Sequence, residues 1–517
     1  MEFESLAQLL AYRAANDRER IFLSSPEQQL DVTYGAFYQT AREFAQYLAD
    51  QGLQPKARVA LLLENGLNWV VAFWGVLLAG GVVVPLNPKY KPAETAGLLT
   101  QAAVRLIVAD EAGAQALPPG LGGAGAGHYL ADSCSVEALL VVPLLPPQPA
   151  PAAAIAAPKA EDEALVLFTS GSTGIPKGVV LTHGNLLAEA GFIRQGHRLT
   201  AQDIVLCILP FFHINGLVIT QITPVLSGGR AVVPRKFSAR QFWQWVTRYQ
   251  ITWFSGVPTI LSILLSKTTT TTTADTPSTS LRFARSASSS LPVAILTEFE
   301  KRFKVPVIEA YGLSEAGSQV ATNPLPPAVR KAGSVGLPAG NALRVVDEHG
   351  RPVPAGVAGE VVLQGANVTR GYLNNPVANR ESFKDGWFYT GDLGYFDEDG
   401  YLFLTGRRKE LINRAGEKIS PREVDEVLYQ LAGIEVAAAV GVPDKLFGEE
   451  IVAFVQLRPG AELSTDTVVA HCKQCLADFK VPKNIVCIND FPKGPNGKIQ
   501  RRKLVELYQQ LTAATEV

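Results

Sequence analysis

Three observations predict a mixed α/β protein with a large N-terminal domain and a small α+β C-terminal one. Residues 1–110 alternate helical and strand-like segments, the pattern of a mixed sheet with helices on its faces. Past residue 340 the pattern changes to short strands and turns, and from about Lys409 a compact α+β pattern begins. At 517 residues the chain is too long for one core, since single cores stop growing beyond roughly 250–300 residues. The expected division is 1–408, with 340–405 as a β-rich subdomain, and 409–517, the boundary falling at Gly406 to Glu410.

In order, Ser5 to Arg13 is amphipathic, Tyr34 to Gln51 reads as a helix, and Arg58 to Leu63 (RVALLL) reads as a strand. The longest apolar run, Trp69 to Leu86, is broken by Gly80, Gly81 and Pro85. It is therefore a buried helix (Trp69 to Ala79) turning into a strand (Val82 to Val84), not a membrane span. Val104 to Ala109 is the next strand. Residues 112–160 are rich in Ala, Gly and Pro and read as linker or surface loop. Gly120, Gly122 and Gly125 within them spell GxGxxG, but without the strand–turn–helix context of a dinucleotide site.

Farther on, Asp203 to Leu209 and Thr252 to Val257 are strands, Phe242 to Tyr249 is a helix, and six threonines, Thr268 to Thr273, form a surface loop. Leu281 to Arg285, a helix Val293 to Phe303 and a strand Val305 to Glu309 follow. The β-rich part holds Leu343 to Val346, Gly359 to Gln364 and Gly400 to Thr405. The C-terminal part holds helices Pro421 to Leu431 and Asp466 to Leu476, with strands at Glu435 to Val440 and Ile451 to Leu457.

Lys plus Arg number 47 against 48 Asp plus Glu, a net charge of −1 that argues against a nucleic-acid partner. Five cysteines form no disulfide framework, and Cys472 with Cys475 lacks the second pair a zinc site needs. MEFESLAQLL has no basic region of a signal peptide, and ATEV is no peroxisomal address, so a cytoplasmic enzyme is expected.

The chemistry concentrates in LVLFTSGSTGIPKGVVLTH, Leu165 to His183. Two apolar strands flank Thr169, Ser170, Gly171, Ser172, Thr173 and Gly174, with Lys177 beyond. Glycine lets the backbone approach a bound group, successive N–H groups make an anion nest, and the lysine adds mobile positive charge. Pro176 and Gly178 around the lysine exclude a Walker loop. Four more stretches follow in order. Glu309-Ala310-Tyr311-Gly312-Leu313-Ser314-Glu315 offers an aromatic face, a hydroxyl and a carboxylate. Trp387 to Asp392 places a carboxylate just after a turn. Gly406-Arg407-Arg408-Lys409-Glu410 closes the large domain, and Pro492 to Arg501 carries Lys498 on a Gly-Pro-rich loop.

Together these motifs resemble the adenylate-forming superfamily of acyl-CoA synthetases, peptide-synthetase adenylation domains and luciferases. The likeness runs over roughly residues 5–505. Asn323 to Pro326, Gly333 to Gly336, Asn367 to Tyr372 and Glu410 to Pro421 are similar to the oxalate–CoA ligase group of plants and yeast.

The resemblance implies two stacked mixed sheets, a β-barrel-like subdomain and a rotating C-terminal domain. It also implies two half-reactions. A carboxylate attacks the α-phosphorus of ATP to give acyl-adenylate and pyrophosphate, and a thiol, that of coenzyme A, then displaces AMP. Thr169 to Lys177 would hold phosphates, and Glu315 would hold Mg2+ with Ser314 beside it. Tyr311, with Glu309, Ala310, Gly312 and Ser289, would form the adenine site, and Asp392 and Arg407 the ribose site. Lys498 would bridge carboxylate and phosphate, Lys409 would be the hinge, Gly416 would join the cofactor site, and His213 would lie beside the acyl carboxylate.

Serine stands at 314 where the superfamily commonly has threonine, and Ala287 to Leu291 reads ASSSL rather than Gly-Ala-Ala-Pro-Leu. Ser318 replaces the histidine of oxalate-using relatives, which argues against oxalate itself. Arg285, matched in those relatives, would favour a small polar or dicarboxylic acid, with His213 and Ser289 near it. Two other readings stay open: an acyl-AMP ligase serving a carrier protein, and a non-catalytic nucleotide-binding homologue.

Overall fold

A computed structural model describes residues 3–121, 127–131, 136–144, 157–169, 176–267, 280–494 and 497–513. Two large sheets carry the N-terminal part. The first runs Gly127–Ala131, Val136–Pro143, Leu106–Ala109, Arg58–Leu62, Val82–Pro85, Glu163–Thr169, Lys177–Thr182. The second runs Leu337–Pro338, Ser318–Thr322, Val307–Leu313, Phe283–Ser286, Trp253–Gly256, Ile204–Leu206, Arg230–Val232, Ile21–Ser25, Leu30–Thr33. Their central strands pair in parallel and are almost entirely buried, as strands covered on both faces must be, with Ser255, Arg285 and Glu309 as polar exceptions.

Helices fill the space between the sheets. Leu67–Leu78 is buried almost all round. Tyr34–Asp50 buries only the face carrying Phe37, Ala41, Phe44 and Leu48, at helical spacing, and Thr33 caps it by accepting from Ala36 N. His183–Gly196 begins on a capping box between Thr182 and Asn185. Residues of both sheets and these helices share one core. A second core, with Phe242, Leu261 and Phe299, covers the far face of the second sheet.

Ala342–Val346, Gly359–Gln364, Trp387–Phe396 and Leu402–Arg407 form an antiparallel sheet, joined by the short Phe383–Lys384. Its inward residues Val345, Val361, Leu363, Phe388 and Leu402 belong to the main core. Past Lys409 the chain builds a separate sheet around the long pair Ile434–Asp444 and Gly448–Leu457, with its own apolar clusters. Arg422 donates to Leu404 O at 2.7 Å, and Arg458 pairs with Glu298 at 3.2 Å, so the small part sits against the large one.

Several expectations are corrected. Residues 112–160 are not only linker: Val136–Pro143 pairs with Leu106–Ala109 and extends the first sheet. Its Ala- and Gly-rich surroundings hid the strand. Gly122 and Gly125 lie outside the described residues, as do Thr268 to Thr273. The strand expected to stop at Glu309 continues to Leu313, and Asp392 lies within Trp387–Phe396 rather than just after a turn. A buried π-helix, Asn215–Ile222, running on into Thr223–Ser227, had no periodic signal. Among the described residues, no helix is long and apolar enough to cross a membrane, and no cluster of three metal-ligating side chains occurs. Cys472 is buried and Cys475 exposed on Thr465–Cys475, and neither is in a disulfide.

Candidate active site

The strands Glu163–Thr169 and Lys177–Thr182 pair as a hairpin with Thr169 opposite Lys177. Thr169 and Lys177 therefore flank the predicted phosphate loop; Ser170, Gly171, Ser172, Thr173 and Gly174 lie outside the described residues. Lys177 Nζ stands 4.8 Å from the centre of the Tyr372 ring. The Tyr372 hydroxyl donates to Glu315 Oε1 at 2.9 Å. Glu315 and Ser314 sit in a 3-10 turn after Leu313, tied down by Thr369 N on Glu315 O at 2.7 Å and Asn367 Nδ2 on Ala316 O at 2.8 Å. The lysine and the carboxylate thus share one tyrosine.

A second group lies at the junction of the large and small parts. Asp392 accepts from the Tyr311 hydroxyl at 2.6 Å and from Arg407 Nε at 2.7 Å. The Asp392 charge holds the Arg407 guanidinium more firmly protonated than usual. Lys498 faces Glu410, Arg407, Asp392 and Arg501, and crowding by protein lowers its pKa. Its side chain remains open to solvent, as expected of a lysine standing in a cleft. The neighbouring Gly497 O accepts from Thr259 Oγ1 at 3.3 Å, seating the lysine loop on the large part.

Tyr311 is buried and its hydroxyl orients Asp392, a role beyond the aromatic face expected of it. Gly312 has a packing reason: a Cβ there would meet Ser318 O at 1.4 Å across the strand pair. Ala310 lies beside it, paired with Thr322. Glu309 accepts from Leu291 N at 3.1 Å, just past Ser289, while its Oε2 has no partner. Burial pushes the Glu309 carboxyl up to about 7, opposed by Arg422. Gly416 is not brought to this group. It lies at the exposed turn between Ile412–Arg414 and Glu417–Ile419 with open space around it.

A third group surrounds Arg285. This side chain is 1% exposed and donates to Gln319 Oε1 at 3.2 Å, Asn215 Oδ1 at 3.1 Å and Ser255 Oγ at 3.0 Å. Nη2 has no hydrogen-bond partner among the described residues. Burial lowers the Arg285 pKa to about 10, opposed by Glu189. Burial pushes Glu189 up to about 8, although Gln319 N and Asn367 Nδ2 donate to it at 2.5 and 2.7 Å. Asn215 Nδ2 also donates to Ser288 Oγ at 3.1 Å, beside Ser289. His213, two residues before Asn215, is half-buried with Nε2 unpartnered. Its pKa falls to about 4 through burial, so the imidazole is neutral at pH 7. The π-helix that starts at Asn215 thus brings the histidine segment, Arg285 and the serine stretch into one network.

Residues 10–373 match the family model described as AMP-binding enzyme, and residues 423–498 match that of the AMP-binding enzyme C-terminal domain. The chain belongs to the AMP-binding enzyme family. It is 41% identical over 505 residues to the sulfoacetate–CoA ligase of Cupriavidus necator, covering 97% of this chain and 98% of that one. It is 37% identical over 507 residues to the oxalate–CoA ligase of Arabidopsis thaliana, covering 97% and 98%. ATP-bound MatB from Rhodopseudomonas palustris has the same fold, with a TM-score of 0.84 at 27% identity over 98% of this chain and 99% of that one. This AMP-binding enzyme is an ATP-dependent acid–CoA ligase that works through an acyl-adenylate.

Several residues of the enzyme's site escaped sequence reasoning. Tyr372, Glu189, Asn215, Ser255, Gln319 and Glu360 each sit far along the chain from the group they hold. Asn215, two positions after His213, and Tyr372, at the end of the Asn367 to Tyr372 likeness, were the two that carried a local cue. Glu360 accepts from Gly391 N at 2.9 Å, next to Asp392, and pairs with Arg408 at 2.6 Å, next to Lys409. It therefore joins the strand of Asp392 to the expected hinge. Lys409 lies in the 3-10 turn Arg408–Glu410, whose φ proline shares. Lys409→Pro is expected to preserve adenylate formation and to slow thioester formation about 10-fold or more, because it fixes the torsion a domain swing must change. Single-turnover assays of each half-reaction measure the split, and equal rates in both would move the hinge elsewhere.

Proposed function

We propose that this enzyme joins coenzyme A to a short acid bearing a second anionic group. The observation that carries the reading is Arg285. A fully buried guanidinium with three neutral hydrogen-bond partners and Nη2 unengaged is suited to a carboxylate or sulfonate, and ill suited to an alkyl chain. Through Asn215 and Ser288 it adjoins Ser289 and the segment of His213. The relatives named for sulfoacetate and oxalate each use an acid with two anionic groups.

Acid and triphosphate repel each other, so positive charge must screen the attack. Lys498, held in the cleft beside Asp392 and Arg407, supplies it to the reacting carboxylate and α-phosphate. Asp392, oriented by Tyr311 and Arg407, accepts the ribose hydroxyls, and Lys177 with Thr169 meets the phosphates. Neutral His213 donates a hydrogen bond to the acid without adding charge. Mg2+ fits Glu315, since Oε1 is taken by Tyr372 while Oε2 has no partner among the described residues, and Mg2+ needs only one or two protein carboxylates. Bound there, it would neutralise charge on the leaving phosphates. Because Lys498 is on the small part, rotation at Lys409 withdraws it and admits the thiol of coenzyme A.

Pyrophosphate release across a panel of acids, with and without coenzyme A, tests the reading. Sulfoacetate, malonate and succinate are expected to outrun acetate and butyrate. Hexanoate or a longer monocarboxylate as the best substrate would end it.

A further inference from the structure

Tyr372 lies on a segment that nucleotide chemistry does not obviously need. Gly371 O accepts from Val180 N at 3.3 Å, and Leu373 N donates to Gly178 O at 2.7 Å. The segment therefore adds itself to the edge of Lys177–Thr182, with Tyr372 opposite Val179. Gly371 has φ +152°, and a Cβ there would meet the Asn379 side chain at 2.9 Å. Asn379 Oδ1 in turn accepts from Tyr372 N at 2.7 Å. The backbone on both sides of the tyrosine is thus fixed, and its ring is buried.

Besides a hydrogen bond between its hydroxyl and Ser382, that fixed side chain makes two contacts of different chemistry with the predicted site residues. Its ring face lies under Lys177 Nζ at 4.8 Å, and its hydroxyl donates to Glu315 Oε1 at 2.9 Å. A core aromatic needs neither contact. The hydroxyl occupies one carboxylate oxygen and leaves the other for a cation. The ring holds the lysine at the mouth of the phosphate hairpin without neutralising it, as an acid would. We infer that Tyr372 is a positioning residue that sets the orientation of the metal-binding carboxylate and ties it to the phosphate-binding lysine. The inference rests on the reading above, in which Glu315 holds Mg2+ and Lys177 meets phosphate.

The two contacts separate by substitution. Tyr372→Phe keeps the ring and removes only the hydroxyl, whereas Tyr372→Leu removes both. Mn2+ serves as the spectroscopic probe for Mg2+, titrated by electron paramagnetic resonance into the full-length protein saturated with α,β-methylene-ATP. Tyr372→Phe is expected to weaken Mn2+ binding about 10-fold, as loss of a partner behind a metal ligand does, and to leave the affinity for metal-free nucleotide unchanged. Tyr372→Leu should add a loss of nucleotide affinity of about 3-fold or more. On a Glu315→Gln background, Tyr372→Phe should have no further effect on Mn2+. A folded Tyr372→Phe protein with parental Mn2+ affinity overturns the inference. If Glu315→Gln itself leaves Mn2+ binding intact, the assignment of the metal to Glu315 fails instead. Parental nucleotide affinity in Tyr372→Leu would remove the lysine half of the proposal.

Discussion

Lys498→Ala is expected to slow acyl-adenylate formation by about 10²-fold or more, the usual loss when one transition-state charge contact is removed. Thioester formation from a supplied acyl-adenylate should stay within a few-fold of the parent. The lysine stands in the cleft beside Asp392, Arg407 and Glu410, with its loop seated on the large part through Thr259. On the function proposed above, this is the arrangement expected for the first half-reaction. A folded variant that loses both half-reactions equally would argue against withdrawal of the lysine between steps. The substitution adds no buried unpaired acid, because Asp392 keeps Tyr311 and Arg407 and Glu410 is exposed. Stability should therefore hold, and the kinetic split can be read cleanly.

Arg285→Ala should do two things at once. It takes the nearby positive charge away from buried Glu189 and leaves the Asn215, Ser255 and Gln319 oxygens without their shared donor. A buried polar group left without its partner costs about 1–3 kcal/mol, so a fall in denaturation midpoint is expected. It also raises the KM for the acid by about 10- to 100-fold, the worth of a hydrogen bond to a charged group, and leaves the KM for ATP nearly unchanged.

The double variant Arg285→Ala with Glu189→Gln separates the two effects. Replacing Glu189 by a neutral amide removes the buried ionisable group whose pKa Arg285 kept from rising further, so part of the lost stability should return while the KM for the acid stays high. Recovery of acid affinity in the double variant would show that Arg285 acts only as a partner to Glu189. Guanidinium added to the single variant should lower the acid KM, because it refills the same donor site.

The element types near the motifs could be read directly from residue order. RVALLL and the alternation before it determine a buried strand and a one-faced helix, and both occur at Arg58–Leu62 and Tyr34–Asp50. The predicted phosphate hairpin, the carboxylates Glu315 and Asp392, and Lys498 were all singled out as candidates from local runs, because glycine, proline and paired charges leave a short-range signature. Boundaries set by long-range pairing were not. Glu309 to Leu313 became strand because Ser318–Thr322 returns against it, and Val136–Pro143 became strand because Leu106–Ala109 offered an edge.

The sequence determined by itself, through the likeness of its motifs to the family, that Arg285, His213 and Ser289 are the candidates for an acyl site. Only the tertiary structure decided what Arg285 touches. Its partners come from residues 189, 215, 255 and 319, separated by long stretches of chain, and no periodicity links them. Tyr372 and Glu360 are the same case. Each joins two motifs that sequence reading treats as separate, because a hydrogen bond is set by distance in space and a motif only by distance along the chain. Spacing thus determines which side chains are chemically able to act, and packing decides which of them meet.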